Sequence, residues 1–246
     1  MEEISEEEVM RHVEEQERLR NATDRSFVGK YLLAFALVIG VLLAFLMAPT
    51  ILRSKKKMDM TQAISNSKQV YLCLIDFESD HGHFPDDRTA VADPRLHGFQ
   101  GAASNRYLGQ LIAGEYTKSE EIFYAFDARS GRKKPDDNIH PPSNILEKNE
   151  CGFSYVMVEE KGRKRGLSTG DNGGLPMLAA VLVNPWGSFE KKSYQGRGIY
   201  LRVDGSARSE RLHMGDQKIV IAGGGTLFDS TGIWGAMKPM VLLPER

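Results

Sequence analysis

One apolar segment near the N-terminus, Tyr31–Ile51, constrains the fold of this chain more than any other feature. It contains no charged side chain, and a helix needs about 20 apolar residues to cross the hydrocarbon core of a membrane. Because backbone polar groups cannot bond to water in lipid, such a segment must be helical. We therefore predict a transmembrane helix. The predicted span covers residues 27–52 and includes Tyr31, Leu42, Pro49 and Ile51.

The flanks of this segment favour a permanent anchor over a cleaved signal peptide. A signal peptide has a basic segment before a shorter apolar region and small residues at its cleavage site. Here the preceding tail, residues 1–26, is rich in glutamate and is predicted to be solvated. Basic residues close the apolar run instead, namely Arg53, Lys55, Lys56 and Lys57. Equal numbers of basic residues near the two ends leave the orientation open on charge alone.

The segment after the span has the pattern of an amphipathic helix. Apolar residues recur every three or four positions over residues 59–80, which places them on one face of a helix. Gly82 can adopt the left-handed conformation that ends helices, and Pro85 cannot continue one. We therefore predict a stalk helix over 53–83 and a globular head over 84–246, whose length suits one domain.

The head has the pattern of a small sheet with long loops. A continuous apolar run at Leu178–Val183 and the alternating segment Ile199–Val203 predict strands. Asp204-Gly205 predicts a two-residue hairpin turn, and Ile219–Ala222 is a further candidate strand. Two Pro- and Gly-rich segments are predicted to be loops with solvated basic residues, Ser130–Asn149 and Gly162–Gly174.

Several short motifs resemble one family. The stalk ends in Asp80-His-Gly-His-Phe-Pro85, and the strand that begins at Ile199 ends in Asp-Gly. With the long apolar helix, these motifs resemble type IV pilins and type II secretion pseudopilins, in particular the pilin-like proteins of planctomycetes and verrucomicrobia. The residues that carry the family motif are Gly82, Phe84, Pro85, Asp204 and Gly205.

The resemblance implies an α+β fold of the pilin-like kind. In that fold a long N-terminal membrane-spanning helix is extended by an amphipathic half. The amphipathic half packs on a small antiparallel sheet, and long loops complete the head. The resemblance also implies a cytoplasmic N-terminus and a head in the periplasm.

The N-terminus departs from the pilin pattern. Pilins are processed between a glycine and a phenylalanine, and they carry a glutamate a few residues into the apolar run. Here Ser26 precedes Phe27, and Tyr31 stands where the glutamate would be. A carboxylate in lipid is costly and is kept for function. Its absence predicts an anchor that is neither cleaved nor polymerised in the usual way.

The sequence carries no specific signal for chemistry. Six carboxylate and imidazole groups lie close together after the stalk, but their spacing matches no metal-binding motif. They are Glu78, Asp80, His81, His83, Asp86 and Asp87. No nucleophile-elbow or phosphate-loop motif is present, and a net charge of −1 with dispersed basic residues argues against nucleic-acid binding. We therefore predict a protein that is not an enzyme, with no catalytic residue, cofactor, metal site or nucleic-acid partner.

The two cysteines form one testable pair. Cys73 lies on the predicted stalk and Cys151 in the head, and no metal-binding spacing accompanies them. Disulfides persist in the periplasm, where the resemblance places the head. A disulfide between Cys73 and Cys151 and a pair of free thiols are therefore both open.

Two functions of different classes remain open. The resemblance implies a single-pass structural or interaction protein of the bacterial inner membrane. Its partners would be membrane lipid and other pilin-like subunits or components of a secretion or envelope assembly. Alternatively, the protein is a membrane-anchored module that binds a ligand or carbohydrate through a head surface around Trp186 and Trp234. Polymer formation would favour the first function, and ligand-induced stabilisation would favour the second.

Overall fold

The computed structural model describes residues 6–129, 134–230 and 232–246. The chain divides into two compact units, which meet in the sequence between Ser54 and Lys55. In the described residues the α-helices are α1 (Glu6–His81), α2 (Asp87–Ala92) and α3 (Ser104–Ala113). Short 3-10 helices cover Pro94–Leu96, Glu121–Phe123 and Pro142–Asn144. Helix α1 therefore contains the predicted span, and it contains the predicted stalk as far as His81.

The sheet belongs to the second unit and is antiparallel throughout. Within the described residues its six strands are β1 (Ser154–Glu160), β2 (Arg163–Arg165), β3 (Pro176–Ala180), β4 (Arg197–Arg202), β5 (Ala207–Arg211) and β6 (Lys238–Leu242). Strand β1 pairs with β2, β3 and β6, while β3 pairs with β4 and β4 with β5. The predicted α+β class, with a long N-terminal apolar helix and a small antiparallel sheet, is thus confirmed.

The C-terminal part of α1 belongs to the core of the second unit. Ala63, Val70, Leu74 and Phe77 have no exposed surface and join the strands in one apolar cluster. Their spacing places them on one face of the helix, so the amphipathic pattern specifies which side of α1 is buried. Full burial of a leucine or phenylalanine side chain contributes about 1.5–3 kcal/mol.

Two polar side chains fix this part of α1 against the rest of the head. The Asn66 amide donates to the carbonyls of Glu121 and Tyr124, at 3.0 and 2.9 Å. Further along the helix, the Tyr71 hydroxyl donates to the Val203 carbonyl at 3.2 Å. Rotation of α1 about its axis would break these bonds and leave polar groups unpaired, which is costly in a buried setting. The bonds therefore restrict that rotation.

Helix α1 ends at the glycine that the sequence indicates. Gly82 has a φ of +78°, the left-handed conformation that favours glycine, and its N–H donates to the Glu78 carbonyl at 2.7 Å. Two residues later Phe84 is fully buried, and its N–H donates to the Leu167 carbonyl at 2.9 Å. The end of the helix is therefore tied to the loop that precedes β3.

The predicted hairpin between β4 and β5 is present, but its turn is longer than two residues. Residues 203–206 connect the strands, and the Arg202 N–H donates to the Ser206 carbonyl at 3.1 Å. Gly205 has a φ of +77°, and a Cβ there would lie 2.7 Å from the Tyr71 ring. Backbone conformation and close packing against α1 therefore both require glycine.

Other strand boundaries differ from the sequence predictions. The apolar run Leu178–Val183 is a strand only as far as Ala180. The candidate strand at Ile219–Ala222 is wrong, because that segment contributes only an isolated bridge from Val220 to Thr226. Apolar runs of this length occur both in buried strands and in buried irregular segments. The sequence pattern alone does not distinguish a strand from an irregular segment.

Two strands have no counterpart in the sequence pattern. Strand β2 contains only basic residues and lies in the predicted loop Gly162–Gly174, where it pairs with the charged end of β1. Strand β6 contains Pro239, which cannot donate to a ladder, yet it pairs with β1 over residues 155–159. The predicted loop Ser130–Asn149 holds a 3-10 turn, and its residues 130–133 lie outside the described residues. Hydrogen-bonded pairing with β1, rather than an alternation of apolar and polar residues, thus determines that both segments are strands.

Candidate functional site

A long apolar surface is exposed on α1 within the first unit. Tyr31 and Ile51 are 67% and 61% exposed, and the large apolar side chains between them are 41–83% exposed where described. These are Phe35, Leu37, Val38, Ile39, Val41, Leu42, Leu43, Phe45, Leu46 and Met47. Soluble proteins rarely expose a contiguous apolar surface of this extent. By length and composition this helix can span a membrane, and α1 continues through Pro49.

Two carboxylates at the end of α1, Glu78 and Asp80, bond to different parts of the head. Glu78 accepts a hydrogen bond from the Thr169 N–H at 2.8 Å, and Asp80 accepts one from the Tyr116 hydroxyl at 2.7 Å. Burial, together with the Asp80 carboxylate, raises the pKa of Tyr116, so its hydroxyl stays protonated and donates. These neighbouring groups in the sequence therefore face different partners.

Asp86 organises the turn that follows α1. Its side chain is fully buried and caps α2 by accepting from the N–H groups of Arg88 and Thr89, at 2.7 and 3.1 Å. Its second oxygen accepts from the Arg88 guanidinium at 3.0 Å and from the Gly166 N–H at 3.4 Å. His83 Nδ1 lies 3.5 Å from the same oxygen. The role of this carboxylate is thus to hold three segments of chain together.

A groove of about 750 Å³ lies beside α2 and β2. Its lining residues are Asp87, Arg88, Val91, Ala92, Gln100, Gly101, Arg163 and Lys164. Lys164 Nζ donates to the Gly101 carbonyl and, at 3.2 Å, to the Tyr107 hydroxyl. That hydroxyl lies 2.6 Å from an Asp87 oxygen, to which it donates. A connected set of polar groups therefore holds Lys164 at the groove.

The chemistry of the groove suits a ligand with anionic and apolar parts. Arg88, Arg163 and Lys164 face it with Asp87 as the one lining carboxylate, while Val91 supplies apolar surface. Arginine and lysine are the residues that proteins use to bind carboxylate and phosphate groups. The sequence predicts a solvated loop for the basic residues of β2, because nothing in their spacing indicates a groove.

The two tryptophans do not form the predicted joint surface. Trp186 is 71% exposed, whereas Trp234 is 1% exposed and its indole N–H donates to the Leu227 carbonyl at 3.0 Å. The alternative in which both tryptophans form one binding surface is therefore wrong. Trp234 packs in the core beneath the loops, and only Trp186 is available at the surface.

Cys73 and Cys151 are both free thiols in the structure. Cys151 is buried, and its thiol donates to the Phe153 carbonyl at 3.3 Å and lies 4.0 Å from Ser104 Oγ. Burial raises the pKa of Cys151 to about 12 and also raises the pKa of Cys73. Thiolates are the reactive species, so neither cysteine is activated.

Comparison with known proteins adds no relative from which a function could be transferred. No family model matches the chain, and no curated protein or solved structure matches it. The exposed apolar surface of α1 and the groove beside α2 are therefore the features from which a function can be argued.

Proposed function

We propose that this chain is a single-pass protein of the bacterial inner membrane with pilin-like architecture. Its head would take part in an assembly with other pilin-like subunits or secretion components. The observation that carries the proposal is the exposed apolar surface of α1. Exposing such surface to water costs about 25 cal/mol per Å², and the hydrocarbon core of a bilayer removes that cost.

The proposed likeness to pilins rests on two motifs that lie against the same helix. Gly82 ends α1 in the left-handed conformation, and Gly205 brings the β4–β5 turn onto Tyr71 of α1. A head built around the end of a membrane helix needs contacts of this kind, because they hold the sheet against that helix. These contacts support the proposal.

The proposed anchor is permanent and associates laterally. Tyr31 replaces the carboxylate that filament subunits of the family place in the apolar run, so a pairing between a freed amino group and that carboxylate is not available. Lateral contact would instead use the apolar side chains of α1, which include Phe35, Val38 and Leu42. Van der Waals packing drives such association between helices in lipid.

A panel of single cysteines tests the anchor, its orientation and its lateral packing in intact cells. Cys73→Ser removes the partly exposed thiol, and Cys151 is too buried to react. In that background Met214→Cys, at a residue 98% exposed, marks the head. Ser5→Cys marks the N-terminus, which lies outside the described residues, and Leu42→Cys marks the helix surface. A membrane-impermeant maleimide is applied after the outer membrane is permeabilised.

We expect the maleimide to label the Met214→Cys protein and to leave the Ser5→Cys protein unlabelled until the inner membrane is lysed. We expect oxidation to cross-link the Leu42→Cys protein to a second copy or to a partner within the membrane. Labelling at position 5 alone would reverse the orientation and contradict a periplasmic head. Equal labelling of both positions in unlysed cells would contradict a membrane-spanning chain.

The groove beside α2 favours a second candidate function, a membrane-anchored module that binds an anionic ligand such as an acidic carbohydrate. Three cationic side chains and an apolar patch line a space of about 750 Å³, which lies in the usual range for ligand sites. The residues that would bind the anion are Arg88, Arg163 and Lys164. This candidate requires no contact between copies of the chain.

Replacing Arg163 by glutamate tests the second candidate. We expect the full chain to bind an acidic oligosaccharide, measured by calorimetry, and Arg163→Glu to weaken binding by about tenfold or more, because it reverses a charge at the groove. The matched control is Arg208→Glu, which reverses an exposed charge on β5 away from the groove lining. An equal loss of affinity for the oligosaccharide in both variants would indicate a general effect of charge and would contradict a binding site in the groove.

A further inference from the structure

Three carboxylates distant in the sequence meet in the head. They are Glu120, just before the 3-10 turn Glu121–Phe123, Asp136 in the following loop, and Glu150, which precedes β1. One oxygen of each lies within 4.8 Å of the other two. Glu120 and Glu150 are fully buried, and Asp136 is exposed. Carboxylates this close repel one another, and a cation bound among them relieves that repulsion.

One oxygen of the Glu120 carboxylate is buried without a hydrogen-bond partner among the described residues. That oxygen is Oε2, whereas Oε1 accepts from the Leu146 N–H at 2.6 Å. Buried polar atoms without a partner are uncommon, and an unrecorded ion is one of the standard explanations.

Backbone bonds hold the cluster in place before any ligand binds. The Glu147 N–H donates to Glu150 Oε2 at 2.8 Å, so this carboxylate, like that of Glu120, uses one oxygen to bind the chain. Asp137 accepts from the Glu120 N–H at 2.6 Å and from the Ser119 hydroxyl at 3.2 Å. The carboxylates therefore sit on segments whose positions are already determined.

We propose that Glu120, Asp136 and Glu150 form a Ca²⁺ site that ties the start of β1 to the loop after α3. Ca²⁺ prefers oxygen ligands at about 2.4 Å, so ligands on opposite sides of it are about 4.8 Å apart. The three oxygens of the cluster all lie within that distance of one another. The exposed position of Asp136 leaves one side open for water ligands and for entry of the ion.

The test is thermal unfolding of the full chain in detergent micelles, in EDTA and in CaCl₂. For the wild type we expect saturating CaCl₂ to raise the unfolding midpoint by about 5 °C or more. Glu120→Gln keeps an acceptor for the Leu146 N–H but removes the charge, so its midpoint in EDTA should not fall below that of the wild type. Both Glu120→Gln and Asp136→Asn should weaken Ca²⁺ binding by about tenfold or more. Glu121→Gln, at the exposed neighbour, should bind Ca²⁺ as the wild type does.

Two results would overturn the proposal. The first is a wild-type midpoint that is the same in EDTA and in CaCl₂. The second is a Ca²⁺ shift that persists unchanged in Asp136→Asn, which would place the ion elsewhere. Because Asp136 is exposed, its variant should fold even where Glu120→Gln does not.

Discussion

Replacing Val38 and Leu42 together by arginine is expected to prevent insertion of the chain into the membrane. Both side chains are more than 60% exposed on α1, at 62% and 61%, and they lie four residues apart on one face. An arginine near the centre of a membrane helix costs about 2.5–3.5 kcal/mol on insertion, so two cost about 5–7 kcal/mol. The measurement is the fraction of protein that stays in the membrane pellet after carbonate extraction.

The same helix provides a matched control. Leu72 is 64% exposed in the second unit, and Leu72→Arg would form, with Lys68, a similar pair of cations four residues apart. We expect this variant to remain in the pellet with the wild type, because residues 68 and 72 lie outside the proposed span. Retention of the Val38→Arg and Leu42→Arg variant in the pellet would contradict the anchor.

Asp86→Ala is expected to lower the free energy of unfolding by about 3 kcal/mol. The change removes the cap of α2 and leaves the buried N–H groups of Thr89 and Gly166 without their acceptor. Loss of the cap, which includes the bond from the Thr89 N–H, costs about 0.5–2 kcal/mol, and the unsatisfied Gly166 N–H adds about 1–3 kcal/mol. Arg88 is half exposed, so its guanidinium regains water and adds little. Denaturant unfolding of the full chain in micelles measures the change.

Asp93→Ala is the control for this prediction, since Asp93 makes the same kinds of bond at the surface. It caps the 3-10 turn Pro94–Leu96, accepts from the Arg95 N–H at 2.9 Å and pairs with the Arg95 guanidinium. The pair is exposed, and such pairs contribute at most about 1 kcal/mol. If Asp86→Ala lowered the free energy of unfolding by less than Asp93→Ala does, burial would not govern how much these caps contribute to stability.

Some predictions succeeded because they depend on local chain geometry. The end of α1 at Gly82 follows from the left-handed conformation that glycine permits, and the turn at Gly205 follows for the same reason. The buried face of α1 follows from the spacing of Val70, Leu74 and Phe77. Each of these features is encoded within a few consecutive residues.

Other predictions failed because the deciding partner is remote in the sequence. Trp234 is a core residue because Leu227 and the surrounding loops close over it. Strand β2 exists through its pairing with β1, although three consecutive basic residues carry no strand pattern. The segment Ile219–Ala222 is apolar enough for a strand but pairs through a single bridge.

The sequence by itself determined the apolar helix, the end of that helix, and the α+β class, because length, apolar spacing and glycine conformation act locally. The tertiary structure decided which polar groups meet. The acidic residues close together after α1 point to separate partners, whereas Glu120, Asp136 and Glu150 converge from three segments. The groove likewise joins Arg163 to α2 across the fold. The separation of two residues along the sequence does not indicate whether their side chains are close in space, because loops and strand pairing set those distances.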